Sequence, residues 1–150
     1  MIAKKLIDDF LSQKPLAVIG VSRNPKKFGY VCFRDLKKRG FFTIPINPYI
    51  DSIDGEKCYP DIKSFPGKIG ALLIVVHPEE TEKVLADAFA SGIKYIWMQR
   101  GAESEKAISF CSAKGINLIY GECILMFAHP VQSFHKFHRI FVKLFRKLPK

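Results

Sequence analysis

Short, continuous runs of apolar residues alternate along the chain with longer stretches whose apolar residues recur at helical spacing. The apolar runs lie at residues 16–19, 41–46, 70–76, 94–98 and 116–120. The helical stretches lie at residues 2–13, 28–39, 79–91 and 103–114. Unbroken apolar runs are typical of parallel strands buried on both faces, and the stretches between them predict crossover helices. The pattern therefore predicts an α/β fold, a Rossmann-like doubly wound parallel sheet of about five strands.

Residues 47–67 interrupt this alternation. They include several prolines and glycines, follow neither the strand nor the helix period, and predict an irregular stretch with a short helix around residues 61–65. No internal repeat or low-complexity linker divides the chain, and 150 residues are a common size for one domain. We expect a Rossmann-like domain over residues 1–130, with its ligand at the carboxyl ends of the strands.

Residues 131–150 predict a basic amphipathic helix added to this domain. On a helix, the aromatic and aliphatic residues of this segment share one face and the lysines and arginines the other. Residues 123–150 hold six basic residues and no acidic one, out of a net charge of +10 for the whole chain. We expect the apolar face to dock on the domain or on a second copy in a homodimer. An anionic membrane surface is an alternative, and we expect no nucleic acid.

The composition is that of a soluble globular protein. Hydrophobic residues make up 48% and charged residues 25% of the chain, close to the averages for that class. The first residues include Lys4, Lys5, Asp8 and Asp9 and lack the apolar core of a signal peptide. The longest apolar runs, such as residues 71–76, are far too short to cross a bilayer. We expect a cytoplasmic protein with no membrane span.

The cysteines and histidines do not predict a metal site. Cys32, Cys58, Cys111 and Cys123 are scattered without a C-x-x-C pair, so we expect buried free thiols rather than disulfides or a zinc site. Three histidines cluster near the C-terminus, at positions 129, 135 and 138, with no nearby Cys, Asp or Glu to complete a set of ligands.

A turn bounded by two glycines follows the first predicted strand. Gly20 closes the apolar run, and Gly29 opens the next helix after a stretch rich in Lys and Arg. Glycines allow a tight turn and a close approach of backbone to ligand, and the first N–H groups of a helix favour an anion. Ser22 adds a hydroxyl, and the neighbouring Lys and Arg residues add positive charge. The turn predicts a phosphate site, and a plain tight turn is the alternative.

Two features separate this turn from a nicotinamide dinucleotide site. Ser22 stands where the G-x-G-x-x-G motif has its second glycine, and the loop is longer than in that motif. The second predicted strand ends in Asn47 and Pro48, whereas a dinucleotide site places Asp or Glu there to bind the ribose hydroxyls. Both features argue against NAD.

Four motifs at successive strand ends are informative together. They are residues 18–22 followed by Gly29, residues 45–48, residues 75–79 and residues 97–102. In sequence and order, over about residues 14–125, they resemble the coenzyme A-binding domain family, single-domain relatives of the nucleotide-binding part of the succinyl-CoA synthetase alpha subunit. The resemblance implies a Rossmann-type fold that binds CoA or a short acyl-CoA.

By this resemblance, twelve residues would contact the ligand. The phosphate and adenine side would be lined by Gly20, Val21, Ser22, Lys26, Phe28 and Gly29. The next edge would be closed by Asn47 and Pro48, and the pocket rim would hold His77, Pro78, Gln99 and Gly101. The resemblance carries nothing beyond Met126, because this chain continues with a Phe- and His-rich extension where the family usually has a short polar end.

No catalytic residue is predicted. His77 could act as a base or be phosphorylated, but the synthetase chemistry needs a second domain and a partner subunit, so we interpret it as part of the pocket wall. Cys123 could form a mixed disulfide with the CoA thiol, although a buried structural cysteine is favoured. The sequence predicts a CoA-binding module without catalysis of its own. The alternative is an enzyme, either a nicotinamide-dependent oxidoreductase or a CoA-ligase component acting with a partner chain.

Overall fold

The computed structural model describes residues 2–130 as strands alternating with helices. The strands are β1 (Leu16–Ile19), β2 (Thr43–Ile46), β3 (Ser52–Ile53), β4 (Glu56–Lys57), β5 (Ala71–Ile74), β6 (Tyr95–Met98) and β7 (Asn117–Tyr120). The helices are α1 (Lys4–Ser12), α2 (Phe28–Lys38), α3 (Pro78–Ala90) and α4 (Glu105–Ala113). The predicted C-terminal helix, and the homodimer it would form, fall on residues 131–150, outside the described part of the chain.

Five of the strands form one parallel sheet in the order β2-β1-β5-β6-β7. Every residue of β1, β2 and β5 is buried, as expected for strands covered on both faces. This confirms the predicted Rossmann-like α/β fold with five strands. In this order the chain leaves β1 toward β2 on one side and returns to β5 on the other, and ligands of such sheets bind where the order reverses.

The helices cover both faces of the sheet. Alternate strand residues point to opposite sides, so Leu16 and Val18 pack with α1 and α2, whereas Ala17 and Ile19 pack with α3 and α4. Trp97 is the largest fully buried side chain, and its ring meets that of Phe10 edge to face at 5.3 Å between centroids. Two apolar layers therefore hold the sheet rigidly beneath its carboxyl edge.

Residues 47–67 are more ordered than the sequence pattern predicts. Strands β3 and β4 pair there as a small antiparallel hairpin, and its turn residues Asp54 and Gly55 have φ values of 47° and 79°. An Asp-Gly pair is a strong hairpin signal in a sequence, and the expectation of an irregular stretch did not include it. The short helix expected around residues 61–65 is present as a single 3-10 turn, Ile62–Ser64.

The described part of the chain ends against α2. A 3-10 turn at Ile124–Met126 follows β7, and the Arg39 guanidinium donates to the carbonyl oxygens of Leu125 and Ala128 at 2.8 and 2.7 Å. None of the helices within residues 2–130 is long and apolar enough to cross a membrane.

Candidate functional site

A cleft of about 630 Å³ opens along the carboxyl ends of the strands. Its wall is built from the segments that follow β1, β2, β5, β6 and β7. Nine of the twelve residues predicted for the site line it, namely Gly20, Val21, Ser22, Phe28, Gly29, Asn47, His77, Gln99 and Gly101. The volume lies in the usual range for small-molecule sites. The cleft is therefore the candidate site.

The turn between β1 and α2 is packed so closely that two positions accept only glycine. Gly20 has φ of 100°, and a Cβ added to it would lie 2.1 Å from the Val75 carbonyl oxygen. A Cβ on Gly29 would lie 1.9 Å from the Gly20 carbonyl oxygen. The close approach of a ligand is one reason for a glycine at position 29. The structure adds a second reason, because Gly29 seats the start of α2 directly against the turn.

The first turn of α2 offers free backbone donors to the cleft. Helix α2 begins after Lys27, which makes no side-chain cap. Within residues 2–130, no backbone hydrogen bond engages the N–H groups of Phe28 and Gly29, both of which line the cleft. Unsatisfied N–H groups at the positive end of a helix dipole favour an anion.

Two side chains shape the loop that carries these donors. Ser22 Oγ accepts from the backbone N–H of Asn24 at 3.0 Å, and Asn24 Oδ1 accepts from that of Lys26 at 3.0 Å. Ser22 lines the cleft. Lys27 also lines it, whereas Lys26 does not. Lys26 was expected at the ligand by the family resemblance, and the structure brings its neighbour Lys27 to the cleft instead.

Asn47 clamps the end of β2 to the glycine turn. Its Nδ2 donates to the Val21 carbonyl oxygen at 2.7 Å, and its Oδ1 accepts from the Tyr49 backbone N–H at 2.7 Å. Both ends of the amide are thus used within the chain. At the position where a dinucleotide site has a carboxylate that holds ribose, this protein has a side chain that holds its own backbone.

Pro48 lines a second cavity, of about 390 Å³, that shares Gly20, Asn47, Val76 and Glu80 with the cleft. Its wall includes Pro48, Tyr49, Ile62 and Val84, with Lys83 as a cation. Two carboxylates that line this second cavity, those of Asp61 and Asp87, already have partners within the chain. Asp61 accepts from the Ser64 N–H and hydroxyl at 2.8 and 2.7 Å, which holds the pKa of Asp61 below its usual value. Asp87 pairs with Lys63 at 3.2 Å.

His77 stands at the start of α3, on the rim of the cleft. Its side chain is exposed and makes no cap, and its carbonyl oxygen accepts from the N–H groups of Glu80 and Thr81. Pro78 is the first residue of α3 and does not line the cleft. Within residues 2–130, no group of three His, Cys, Asp or Glu residues could hold a metal ion.

The segment after β6 forms the far wall. Gln99 is buried, and its Oε1 accepts from the Ile124 N–H at 3.1 Å. Gly101 has φ of 95°, and a Cβ there would meet nothing within 4 Å. The cleft is also lined by residues that the prediction omitted, Lys27, Val75, Val76, Glu80, Arg100, Ala102 and Cys123. Val75, Val76, Arg100 and Ala102 belong to the quoted motifs, so they could have been included.

Most of the basic residues around the glycine turn serve the fold. Arg23 donates to the Ser52 carbonyl oxygen at 2.9 Å and so attaches the β3–β4 hairpin to the turn. Arg34 donates to the Tyr30 hydroxyl at 2.7 Å, and Lys37 pairs with Glu56. Lys27 and Arg100 are the basic residues among those that line the cleft.

The expectation of four buried thiols is right for three cysteines and wrong for the fourth. Cys32, Cys58 and Cys111 are buried, and burial raises the pKa of Cys32 to about 12, that of Cys111 to about 11 and that of Cys58 above its usual value. Cys123 is only partly buried and lines the cleft. The reason is that β7 ends at Tyr120, so residue 123 has left the sheet.

Comparison with protein families matches residues 14–129 to the CoA binding domain. The alpha subunit of the ADP-forming acetate–CoA ligase II of Pyrococcus furiosus is 28% identical over 130 residues, 79% of this chain and 28% of that subunit. The chain thus spans only about a quarter of that relative. The uncharacterized protein YneT of Bacillus subtilis is 28% identical over 118 residues, 79% of this chain and 87% of YneT.

Two solved structures are similar to most of this chain. A conserved hypothetical protein from Pyrococcus furiosus superposes with a TM-score of 0.71 at 36% identity, covering 73% of this chain and 95% of that one. A hypothetical protein from Pyrococcus horikoshii superposes with a TM-score of 0.78 at 25% identity, covering 83% and 88% of the two chains. With the family match extending over most of the sequence, this chain belongs to the CoA-binding domain family.

Proposed function

We propose that this protein holds CoA or a short acyl-CoA across the carboxyl ends of its strands and catalyses no reaction of its own. The observation that carries the proposal is the cleft beside the glycine turn, where the N–H groups of Phe28 and Gly29 have no partner within the described residues. The diphosphate would accept from these groups and from the Ser22 hydroxyl. Lys27 would add a charge-assisted contact.

The second cavity suits the adenosine end of the same ligand. It adjoins the cleft at Gly20 and Asn47, so adenosine placed there leaves the diphosphate at the start of α2. Pro48 and Tyr49 supply flat or apolar surface for a purine. Lys83 supplies a positive charge for the 3′-phosphate that distinguishes CoA from NAD.

A CoA-ligase component acting with a partner chain is the second candidate. It is favoured by the match to the ligase alpha subunit, of which this chain covers 28%. Under that candidate CoA occupies the same cleft, and a partner chain supplies the reacting groups. The described residues support the binding step, which both candidates share.

CoA is expected to raise the melting temperature of the protein more than NAD or NADPH does. A ligand at a hundred times its dissociation constant stabilises a fold by about 2.7 kcal/mol, or about 5–10 °C for a chain of this size. Because phosphate contacts are electrostatic, the shift should shrink as salt rises. Dye-based melting with each ligand, in low and high salt, measures this. A larger shift with NAD or NADPH would replace the proposal with the oxidoreductase alternative.

Two adjacent lysines provide a matched pair of variants. Lys27→Ala is expected to weaken CoA binding by about three- to tenfold and to flatten its salt dependence, because one charge-assisted phosphate contact is lost. Lys26→Ala removes the same charge from the same loop but lies outside the cleft lining, so it should leave the affinity within about twofold. Titration calorimetry gives both constants. A stronger effect from Lys26→Ala would show that the phosphates bind elsewhere on the loop.

A further inference from the structure

Cys123 is positioned differently from the other cysteines of the described chain. Cys32, Cys58 and Cys111 are buried in the apolar layers, whereas Cys123 is partly exposed at the cleft end that follows β7. The glycine turn and the start of α2 lie at the other end, after β1. A ligand that extends along the cleft from its phosphates would therefore run toward this thiol.

Side chains from the end of β6 hold the backbone on both sides of Cys123. Trp97 Nε1 donates to the Glu122 carbonyl oxygen at 3.0 Å, and Gln99 Oε1 accepts from the Ile124 N–H at 3.1 Å. Arg100 Nε also approaches the Gly121 carbonyl oxygen, at 3.4 Å. The thiol is therefore presented on a fixed segment rather than on a free loop.

Gln99 is an independent sign that a ligand reaches this end. It is only 5% exposed, yet within residues 2–130 its Nε2 donates to no acceptor. Among those residues, Thr43 Oγ1 is the one fully occluded side-chain polar atom without a partner, so Gln99 Nε2 is not fully occluded, and Gln99 lines the cleft. This amide donor is available to an acceptor on a ligand in the cleft. The pantetheine arm of CoA has two amide carbonyls.

The length of that arm matches the distance along the sheet edge. From β1 to β7 the path crosses β5 and β6, which makes three strand spacings, or about 14 Å at roughly 4.8 Å each. Between the phosphate ester oxygen and the sulfur of CoA lie about twelve bonds, equivalent to about four extended residues, or about 14 Å. With the diphosphate at the start of α2, an extended pantetheine arm would bring the CoA sulfur to the end of β7.

We infer that Cys123 is a thiol-exchange site that forms a mixed disulfide with CoA bound in the cleft. The inference rests on the proposed function. The Cys123 thiolate attacks one sulfur of CoA disulfide, the new bond joins Cys123 Sγ to CoA, and the S–S bond of CoA disulfide breaks. The departing CoA thiolate takes up the proton that the Cys123 thiol gave to solvent. One disulfide replaces another, so no further oxidant is required.

The neighbouring cysteine, Cys32, does not displace CoA from the mixed disulfide. Burial is the main cause that raises the pKa of Cys32 to about 12, and the nearby Cys123 raises it further. Cys32 thus stays a thiol at neutral pH, and the thiolate is the form that attacks disulfides. The mixed disulfide is expected to persist until an external thiol reduces it.

The experiment treats the full chain with CoA disulfide and, separately, with oxidised glutathione. We expect one adduct with the mass of CoA less two hydrogens, mapped to Cys123 by peptide analysis and removed by dithiothreitol. The CoA adduct should form about tenfold faster than the glutathione adduct. The reason is that binding of the nucleotide part of CoA disulfide in the cleft raises the local concentration of its S–S bond near Cys123. Desulfo-CoA should slow formation of the CoA adduct by competing for the cleft. The variant Cys123→Ser, with its fold verified by circular dichroism, should form no adduct.

Several results would overturn the inference. They are an adduct on another cysteine, an adduct in Cys123→Ser, an equal rate with oxidised glutathione, and no effect of desulfo-CoA. Melting of the reduced wild-type protein with CoA distinguishes failure of the thiol-exchange site from failure of the proposed function. A CoA-dependent shift without an adduct would reject the thiol-exchange site and leave the proposed function standing, whereas absence of both would reject both.

Discussion

Replacing Gly20 with alanine is expected to lower the free energy of unfolding by about 2–5 kcal/mol and to abolish the CoA-dependent melting shift. Two costs add. The φ of 100° is a left-handed conformation that costs a residue with a Cβ about 1–2 kcal/mol, and overpacking costs about 1–3 kcal/mol more. The overpacking arises because the new Cβ would lie 2.1 Å from the Val75 carbonyl oxygen, a backbone atom. Urea denaturation measures the loss.

Gly92→Ala is the matched control for this change. Gly92 also has a positive φ, 79°, but a Cβ there would meet nothing within 4 Å, and the residue lies beyond the end of α3, away from the cleft. It should cost only about 1–2 kcal/mol, the conformational part, and keep the CoA response. Equal losses in the two variants would mean that the close approach of the turn to Val75 contributes nothing.

The fold could be predicted from the sequence because its signals are local. Each apolar run that the sequence analysis identified contains a strand of the sheet, since strands buried on both faces need unbroken apolar sequence. The hairpin at β3 and β4 was missed because its strands have only two residues each and show no alternation. Its Asp54-Gly55 turn was the available signal.

Of the site, only the residues that lie at or just after strand ends could be predicted from the sequence. Gly20, His77 and Gln99 come directly after strands or close to their ends, so topology alone brings them to one edge. The choice between Lys26 and Lys27 depends on the path of an exposed loop, which residue spacing does not determine. The structural role of Asn47 depends on a hydrogen bond to Val21, 26 positions earlier in the chain.

The exposure of Cys123 could not be predicted for a related reason. Free cysteines are usually buried, which favoured burial of Cys123. The residue follows the last strand, however, and its segment is held by hydrogen bonds from Trp97 and Gln99. These are contacts between residues 25 positions apart. Burial of a single side chain beyond a strand end is set by such distant partners rather than by local pattern.

Trp97→Ala is expected to cost about 3–5 kcal/mol of unfolding free energy, the usual range for an aromatic residue removed from a core. Trp97 is fully buried, and its ring lies 5.3 Å from that of Phe10 and 6.0 Å from that of Phe127. The change would leave a cavity between α1, the sheet and the segment after β7. Urea denaturation measures the cost, and a loss under 1 kcal/mol would contradict the packing described here.

Trp97→Phe separates packing from the hydrogen bond that positions Cys123. Phenylalanine retains an aromatic ring beside Phe10 but has no N–H to donate to the Glu122 carbonyl oxygen, which Trp97 Nε1 reaches at 3.0 Å. We expect a smaller loss, about 1–2 kcal/mol, and slower reaction of Cys123 with CoA disulfide at an unchanged rate with oxidised glutathione. Only the CoA reaction depends on where the segment holds the thiol relative to the bound nucleotide. If both reagents slow equally, Trp97 acts on the accessibility of the thiol and not on its position along the cleft.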